Sequence, residues 1–225
     1  MIERLLSPPV VAVQTFGDPV DPPVLFSQEE ALTARMVDSR RREFGTVRAC
    51  ARTALSGLGI APVPILRGPL GAPTWPDGVV GSMTHCAGYR AAAVARSADL
   101  AAIGLDAELH QPMPGSELEV VALPEEQTWL SDLAARRPEI CWDRLLFSAK
   151  ESVYKAWSPL TGRWLGFEEA TITFDPDAGR FRARLLVPGP VVAGTRLPTL
   201  EGRWLVRSGL VLTAVTVTSG SAAET

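Results

Sequence analysis

The stretch FSAKESVYKAW, residues 147–157, decides how the chain is read. It is one helix with two faces. Trp142, Leu146, Ala149, Val153 and Ala156 recur at spacings of four, three, four and three, which makes one apolar stripe. Glu151 and Lys155 lie four apart on roughly the opposite face, acid before base, the favourable order. Alone, such a pair is most often a solvated surface pair. Its neighbours argue for more.

Composition sets the frame. With 225 residues, 46% of them hydrophobic and 21% charged, the chain can bury one good core or two small ones and is not disordered. The net charge of -3 excludes little, but Arg35, Arg40, Arg41, Arg42, Arg48 and Arg52 crowd one segment against Asp38 and Glu43. So compact a cluster suits a small polyanion, and no nucleic acid partner is expected. Cys50, Cys86 and Cys141 are scattered with no CxxC pair, which fits reduced thiols and gives no zinc framework. The start, MIERLLSPPVVAV, lacks a basic region followed by an apolar run, so no signal peptide is expected. No segment approaches the length of a membrane span, so a soluble, cytoplasmic protein without membrane partner is expected.

Taken in order, VVAVQTF from Val10 is a strand and residues 18–23 a proline-rich loop. Ser27 is the expected N-cap, with a capping-box acid three residues on, of a helical region reaching about Leu58 and interrupted near Asp38. Phe44, Val47, Ala51, Leu55 and Leu58 are its apolar stripe, and Arg41, Arg48 and Arg52 project together from one side. A solvated basic face is the bland alternative. Residues 63–66 are a short strand, and Arg67 opens the Gly/Pro-rich loop GPLGAPTWPDG. Residues 79–84 and 91–95 are adjacent strands around HCAGYR. His85 is one of two histidines; with only Cys86 beside it, it makes no zinc site.

AAIGLDAE, residues 101–108, alternates: Ile103, Leu105 and Ala107 take one face, Gly104, Asp106 and Glu108 the other. Two carboxylates at i and i+2 point the same way, roughly 7 Å apart at the backbone. Beside a hard cation they become a ready pair of oxygen ligands. QPMPGS, residues 111–116, is a candidate domain junction, and LPEEQTWLSDL from Leu123 a short helix with Pro124 in its first turn. The opening helix runs from Trp142 and should stop near Trp157, before Pro159 and Gly162. ATITF and RFRARLLV flank the turn DPDAG, two more strands flank Ser208-Gly209, and the tail SGSAAET from Ser219 is expected to fray. Helix followed by short strands occurs twice, with the join near residue 100.

Three stretches stand in order: GSMTHC, GLDAE and FSAKESVYK. Together they resemble the Sfp-type 4′-phosphopantetheinyl transferases, actinobacterial members above all. These show a Ser/Thr-His turn, a G-[IV]-D-x-E strand and a [WF]-[SC]-x-K-E-[SA]-x-x-K helix. CARTAL in the Arg-rich helix, the Gly-x-Pro loop at residues 71–73 and WLGF from Trp164 extend the resemblance over residues 40–217. There are departures: Thr84-His85-Cys86 where many members have Ser-His-Ser, Leu105 for Ile or Val, and Gly-Ala-Pro for Gly-Lys-Pro, a lost phosphate contact that Arg67 could replace.

The resemblance implies an α+β fold of two similar halves, residues 1–100 and 101–225, each a helix on a small, largely antiparallel sheet. Coenzyme A and metal would lie in the cleft between them. It implies transfer of 4′-phosphopantetheine from coenzyme A to a serine of acyl or peptidyl carrier proteins of fatty-acid, polyketide or nonribosomal peptide synthases, releasing 3′,5′-ADP, by a monomer. Asp106, Glu108 and Glu151 would hold Mg²⁺ (or Mn²⁺), with Glu151 alternatively the base toward the serine. Lys150 and Lys155 would neutralise phosphates. Arg40, Arg48, Arg52, Arg67, Thr84 and His85 would bind coenzyme A, with Arg40, Arg48 and His85 on its 3′-phosphate side. An apolar docking surface for the carrier is expected within residues 118–133 and at the end of the signature helix. The rival readings are a non-catalytic module that binds coenzyme A or docks carriers, and a hydrolase that removes the same arm. No GxxxxGK[ST] loop or GxSxG elbow is present.

Overall fold

The computed structural model describes residues 1–220. Strand β1 (Val11–Phe16) is followed by helices α1 (Ser27–Thr33) and α2 (Asp38–Gly57), then β2 (Val79–Cys86), β3 (Tyr89–Arg96) and β4 (Leu100–Leu109). Helices α3 (Gly115–Val121), α4 (Pro124–Arg136) and α5 (Trp142–Thr161) come next. The chain closes with β5 (Ala170–Asp175), β6 (Arg180–Leu185), the short pair β7 (Val191–Val192) and β8 (Thr195–Arg196), β9 (Thr199–Arg207) and β10 (Leu210–Thr218). The fold is α+β, and every strand pairing is antiparallel. One sheet has the order β1-β3-β2 and the other β4-β10-β9-β6-β5. In each, the first strand of the set lies beside the last. Of the tail from Ser219, residues 221–225 lie outside the described residues.

Three cores follow from the apolar patterning. The stripe of α5, from Trp142 through Leu146, Ala149 and Val153 to Ala156, is fully buried with Ile172, Phe181 and Val215 of the five-stranded sheet. Helix α2 buries Ala51, Ala54 and Leu55 on Ala92 and Val94 of β3. The third core lies between the sheets, where Ala91, Ala93 and Ala95 of β3 meet Ile103, Leu105 and Ala107 of β4. Alanine on one side lets the two backbones come close. Strands β2 and β4 belong to different sheets, and hydroxyls bridge the seam between them. The Leu105 amide donates to Ser82 Oγ at 3.0 Å and the Ala107 amide to Thr84 Oγ1 at 3.1 Å.

Two fully buried glutamates, 0% exposed each, hold equivalent places in the two parts of the chain. Glu29 accepts the Phe26 amide at the start of α1, the Ile65 amide at 2.8 Å and the Arg52 guanidinium at 3.0 Å on both oxygens. Glu126 accepts the Leu123 amide at the start of α4, the Ile172 amide at 2.7 Å and the Lys150 ammonium at 2.6 Å. In both cases one carboxylate closes the first turn of a short helix, fixes a cation of the long helix and satisfies an extended segment.

Several local expectations change. Phe26, not Ser27, is the N-cap of α1; Glu29 closes the turn and the Ser27 hydroxyl turns to Gln28. Residues 63–66 form no strand, because Glu29 takes the Ile65 amide and Arg48 takes its carbonyl. Helix α5 runs past Pro159 to Thr161, ending where Gly162 turns to φ 64° and its amide caps the Ser158 carbonyl. Residues 111–116 are no free junction: Met113 is buried and its amide is held by Asp143 at 2.7 Å.

Glu126→Ala would leave the Lys150 charge buried without its partner. It should cost about 3–5 kcal/mol in a denaturant titration, and adding Lys150→Met should recover much of that loss. A double variant no more stable than Glu126→Ala alone would show that the pair is not what holds α4, α5 and β5 together.

Candidate active site

The chemistry gathers in a cavity of about 340 Å³ where α2, β2, β4 and α5 meet. Strand β4 brings Asp106 and Glu108, and α5 brings Phe147, Glu151 and Lys155. Helix α2 brings Arg40, Phe44 and Arg48, the loop brings Arg67, Gly71 and Pro73, and β2 brings Met83, Thr84 and His85. Helix α5 lies directly on the Asp106 face of β4: a Cβ at Gly104 would stand 1.8 Å from the Ser152 carbonyl oxygen. Beside Asp106 in the ladder, Thr213 of β10 donates to the Ser148 carbonyl at 2.8 Å and pins α5 down. A larger, mostly apolar cavity of about 500 Å³ adjoins at Met83 and Lys155, and one of about 180 Å³ adjoins at Glu151 and Tyr154. Neither holds Asp106 or Glu108, so chemistry rather than volume marks the site.

Lys155 Nζ donates to Asp106 Oδ1 at 2.6 Å, and Thr84 Oγ1 donates to the same oxygen at 3.4 Å. Lys155 thus faces Asp106 across the contact of α5 with β4, where the sequence pairs it with Glu151. Asp106 Oδ2 is buried with no hydrogen-bond partner. Burial, and then the nearby Asp106 carboxylate, push the Glu108 carboxyl up to about 7, while Arg144 at 3.5 Å opposes them. Burial also raises Glu151, against the pull of Lys155. An orphaned carboxylate oxygen between two acids that burial disfavours as anions is an all-oxygen donor set suited to a hard divalent cation. Among the described residues no three His, Cys, Asp or Glu side chains already form a metal-binding group. Asp106 and Glu108 are instead each met by a cation of the chain, Lys155 and Arg144.

In the same cavity, Arg40 Nη1 donates to His85 Nε2 at 2.6 Å. Burial, and then the Arg40 charge, push His85 down to about 4, so it is neutral and accepts from Arg40. Arg48 stacks on Phe44 at 3.2 Å from the ring centroid and donates to the Ile65 carbonyl. Burial lowers it to about 10, still charged at neutral pH.

Nine of the residues singled out in the sequence line this cavity: Arg40, Arg48, Arg67, Thr84, His85, Asp106, Glu108, Glu151 and Lys155. Two do not. Lys150 gives its three protons to Glu126, the Val121 carbonyl and the Phe167 carbonyl, so it is a structural cation with none left for a phosphate. Arg52 is spent on Glu29 and the Val24 carbonyl. Nor do Arg41, Arg48 and Arg52 act together, since Arg41 is exposed beside a different groove. Arg144 escaped the sequence reading, although it precedes Glu151 by seven positions and so shares its helical face.

Comparison with known proteins adds two matches to family models. The 4′-phosphopantetheinyl transferase N-terminal domain matches residues 28–95, and the 4′-phosphopantetheinyl transferase superfamily matches residues 102–196. The chain is 58% identical over 228 aligned positions to the 4′-phosphopantetheinyl transferase Svp of Streptomyces mobaraensis, covering 100% of this chain and 93% of that one. It is 52% identical to the 4′-phosphopantetheinyl transferase PptT of Mycobacterium tuberculosis, over 87% and 88% of the two chains. It is 48% identical to the 4′-phosphopantetheinyl transferase Npt of Nocardia iowensis, over 96% and 99%.

The carboxylate cluster has a stability consequence. With a folded pKa of about 7 against an ordinary 4.5, Glu108 keeps its proton in the folded state between those values. Its contribution to stability is present below pH 4.5 and lost as pH rises to 7. Glu108→Gln should therefore gain stability relative to the wild type across that window and stay ahead above it, while losing activity. Melting curves from pH 4.5 to 8 that run parallel for the two proteins would contradict this.

Proposed function

The chain belongs to the 4′-phosphopantetheinyl transferase superfamily, and on that premise we propose how this cavity carries the transfer of phosphopantetheine to carrier proteins. The donor is coenzyme A. The carrier's serine oxygen attacks the β-phosphorus; that P–O bond forms, the bond to the bridging oxygen breaks, and 3′,5′-ADP leaves. Phosphoryl transfer needs positioning and charge neutralisation more than covalent help. The observation that carries the reading is the meeting of Asp106, Glu108, Glu151 and Lys155 in a cavity that Arg40, Arg67 and His85 also line.

Asp106 and Glu108, with Glu151 beside them, would hold Mg²⁺, with Mn²⁺ as the alternative. When bound, the ion would neutralise diphosphate charge. Glu151 takes the serine proton, and burial has already raised its basicity. Lys155, held beside Asp106, offers its ammonium to the phosphates. Arg40 sits in the first turn of α2, where the helix dipole also favours an anion, and reads the 3′-phosphate with His85 and Arg67. Arg48 and Thr84 shape the walls. All three acids are present in the cavity, which argues against a module without chemistry.

The carrier surface is narrower than residues 118–133. Leu118, Trp129, Leu130 and Leu133 are taken up by the core, but Val120 is 72% exposed and Trp164, whose ring lies tilted against Tyr154, 66%. Together with Leu70 they are the apolar side chains offered to a docking helix. The partners are acyl and peptidyl carriers of fatty-acid, polyketide or nonribosomal peptide synthases, served by a monomer in the cytoplasm. No helix among the described residues is long and apolar enough to cross a membrane.

Incubation of a panel of apo-carriers with coenzyme A should add the mass of one phosphopantetheine per carrier. Release of the arm from holo-carrier instead would mark a hydrolase. Asp106→Ala and Glu151→Gln should each lower turnover at least about 100-fold while the variants stay folded; near wild-type rates would refute the assignment. Val120→Glu or Trp164→Glu should raise the KM for carrier several-fold and leave that for coenzyme A unchanged. Equal effects on both substrates would contradict a separate docking surface.

A further inference from the structure

Beside Arg40 stands a carboxylate that the transfer chemistry does not use. Glu43 lies one turn after Arg40 on α2 and does not line the cavity. Its Oε2 accepts from Arg40 Nη1 at 2.9 Å, and the same Nη1 donates to His85 Nε2 at 2.6 Å. Its other oxygen, Oε1, is 3.3 Å from Arg90 Nη2. Arg90 is buried on β3, and its remaining protons are claimed. It grips Asp18, in the loop after β1, through two bonds of 3.1 and 2.9 Å, and donates to the Cys86 and Tyr89 carbonyls. A chain of alternating charge thus runs from Asp18 through Arg90 and Glu43 to Arg40 and ends on His85.

We propose that Glu43 is a positioning residue for the donor's 3′-phosphate: it holds Arg40 against His85, so that guanidinium and imidazole meet the phosphate as a preset pair. The inference rests on the reading that Arg40 and His85 bind that phosphate. Three features support it. Arg40 is partly exposed, and a free arginine there would sample many rotamers; an i, i+3 carboxylate that is itself anchored removes that freedom before the ligand arrives. An acid placed in a phosphate site would by itself oppose the ligand, so its presence needs a reason, and its two oxygens are turned to Arg40 and Arg90. Finally, the anchor is rigid, because Arg90 is fixed at five points on β3, the Asp18 loop and Glu43.

The test is a comparison of two donors, coenzyme A and dephospho-coenzyme A, at saturating carrier. Glu43→Ala should raise the KM for coenzyme A about tenfold, the scale of one charge-assisted hydrogen bond. It should leave the KM for dephospho-coenzyme A and both kcat values unchanged. Glu43→Gln, which keeps an acceptor for Arg40, should recover part of the loss. Asp18→Asn, which loosens Arg90, should show the same donor-selective defect in weaker form. A purely structural role would penalise both donors alike, and that result, or a KM for coenzyme A that is unchanged or lower, overturns the inference. Arg40→Ala and His85→Ala run alongside. If they discriminate between the donors and Glu43→Ala does not, only the positioning role falls. If none discriminates, the 3′-phosphate reading falls with it.

Discussion

The contact between α5 and β4 at Gly104 governs the rest. A hydrogen in place of a side chain lets the helix backbone settle on the strand, with the Ser152 carbonyl where a Cβ would be. Everything chemical is downstream of that approach. Glu151 and Lys155 flank Ser152 on the helix, and Asp106 lies two residues along the strand, so the same closeness that forbids a methyl group delivers Lys155 Nζ to within 2.6 Å of Asp106. A helix held even one methyl further away would leave an acid pair on a strand and a charged face on a helix, without a shared cavity. The Ser148–Thr213 bonds keep the approach from sliding.

The halves repeat one solution to the problem of attaching a long helix to a small sheet. Each sets a 20-residue helix on a small sheet, of three strands in the first and five in the second. Each half adds a buried carboxylate that ties a short helix, the long helix and an extended segment into one node. The cation differs, arginine in the first and lysine in the second, and so does the geometry: two bonds from Arg52 to Glu29, one short bond from Lys150 to Glu126. Such nodes specify a single arrangement because every partner is satisfied only there.

How much of this was legible in the sequence depended on whether a pattern was local. The stripe of α5 and the alternation in β4 are periodicities, and both came through. The family resemblance came from three short motifs read together, and nine of the eleven residues they implicated do line one cavity. Lys150 and Arg52 stand outside that cavity for a shared reason. Both lie in basic, motif-bearing helices, and both are claimed by a glutamate more than twenty positions away that no local pattern announces. A hint was present: Lys150 and Lys155 are five apart, about 140° around a helix, so they could not both face one cavity. The end of α5 was misjudged because proline forfeits one hydrogen bond without forcing the chain to leave the helix, and Gly162 supplies the cap that does.

The hydroxyl-bridged seam bears on what either half could be by itself. Taken apart, the first would expose one edge of β2 and the alanine face of β3, and the second one edge of β4 and the face carrying Ile103 and Leu105. Unpaired, apolar sheet edges recruit other strands. A single half would be sticky in two ways at once, and the surface that best complements it is one shaped like its sibling. Carrying both sheets on one chain keeps these two surfaces together without a diffusive encounter. The candidate site, lined from α2 and β2 on one side and β4 and α5 on the other, draws on both sheets and their helices.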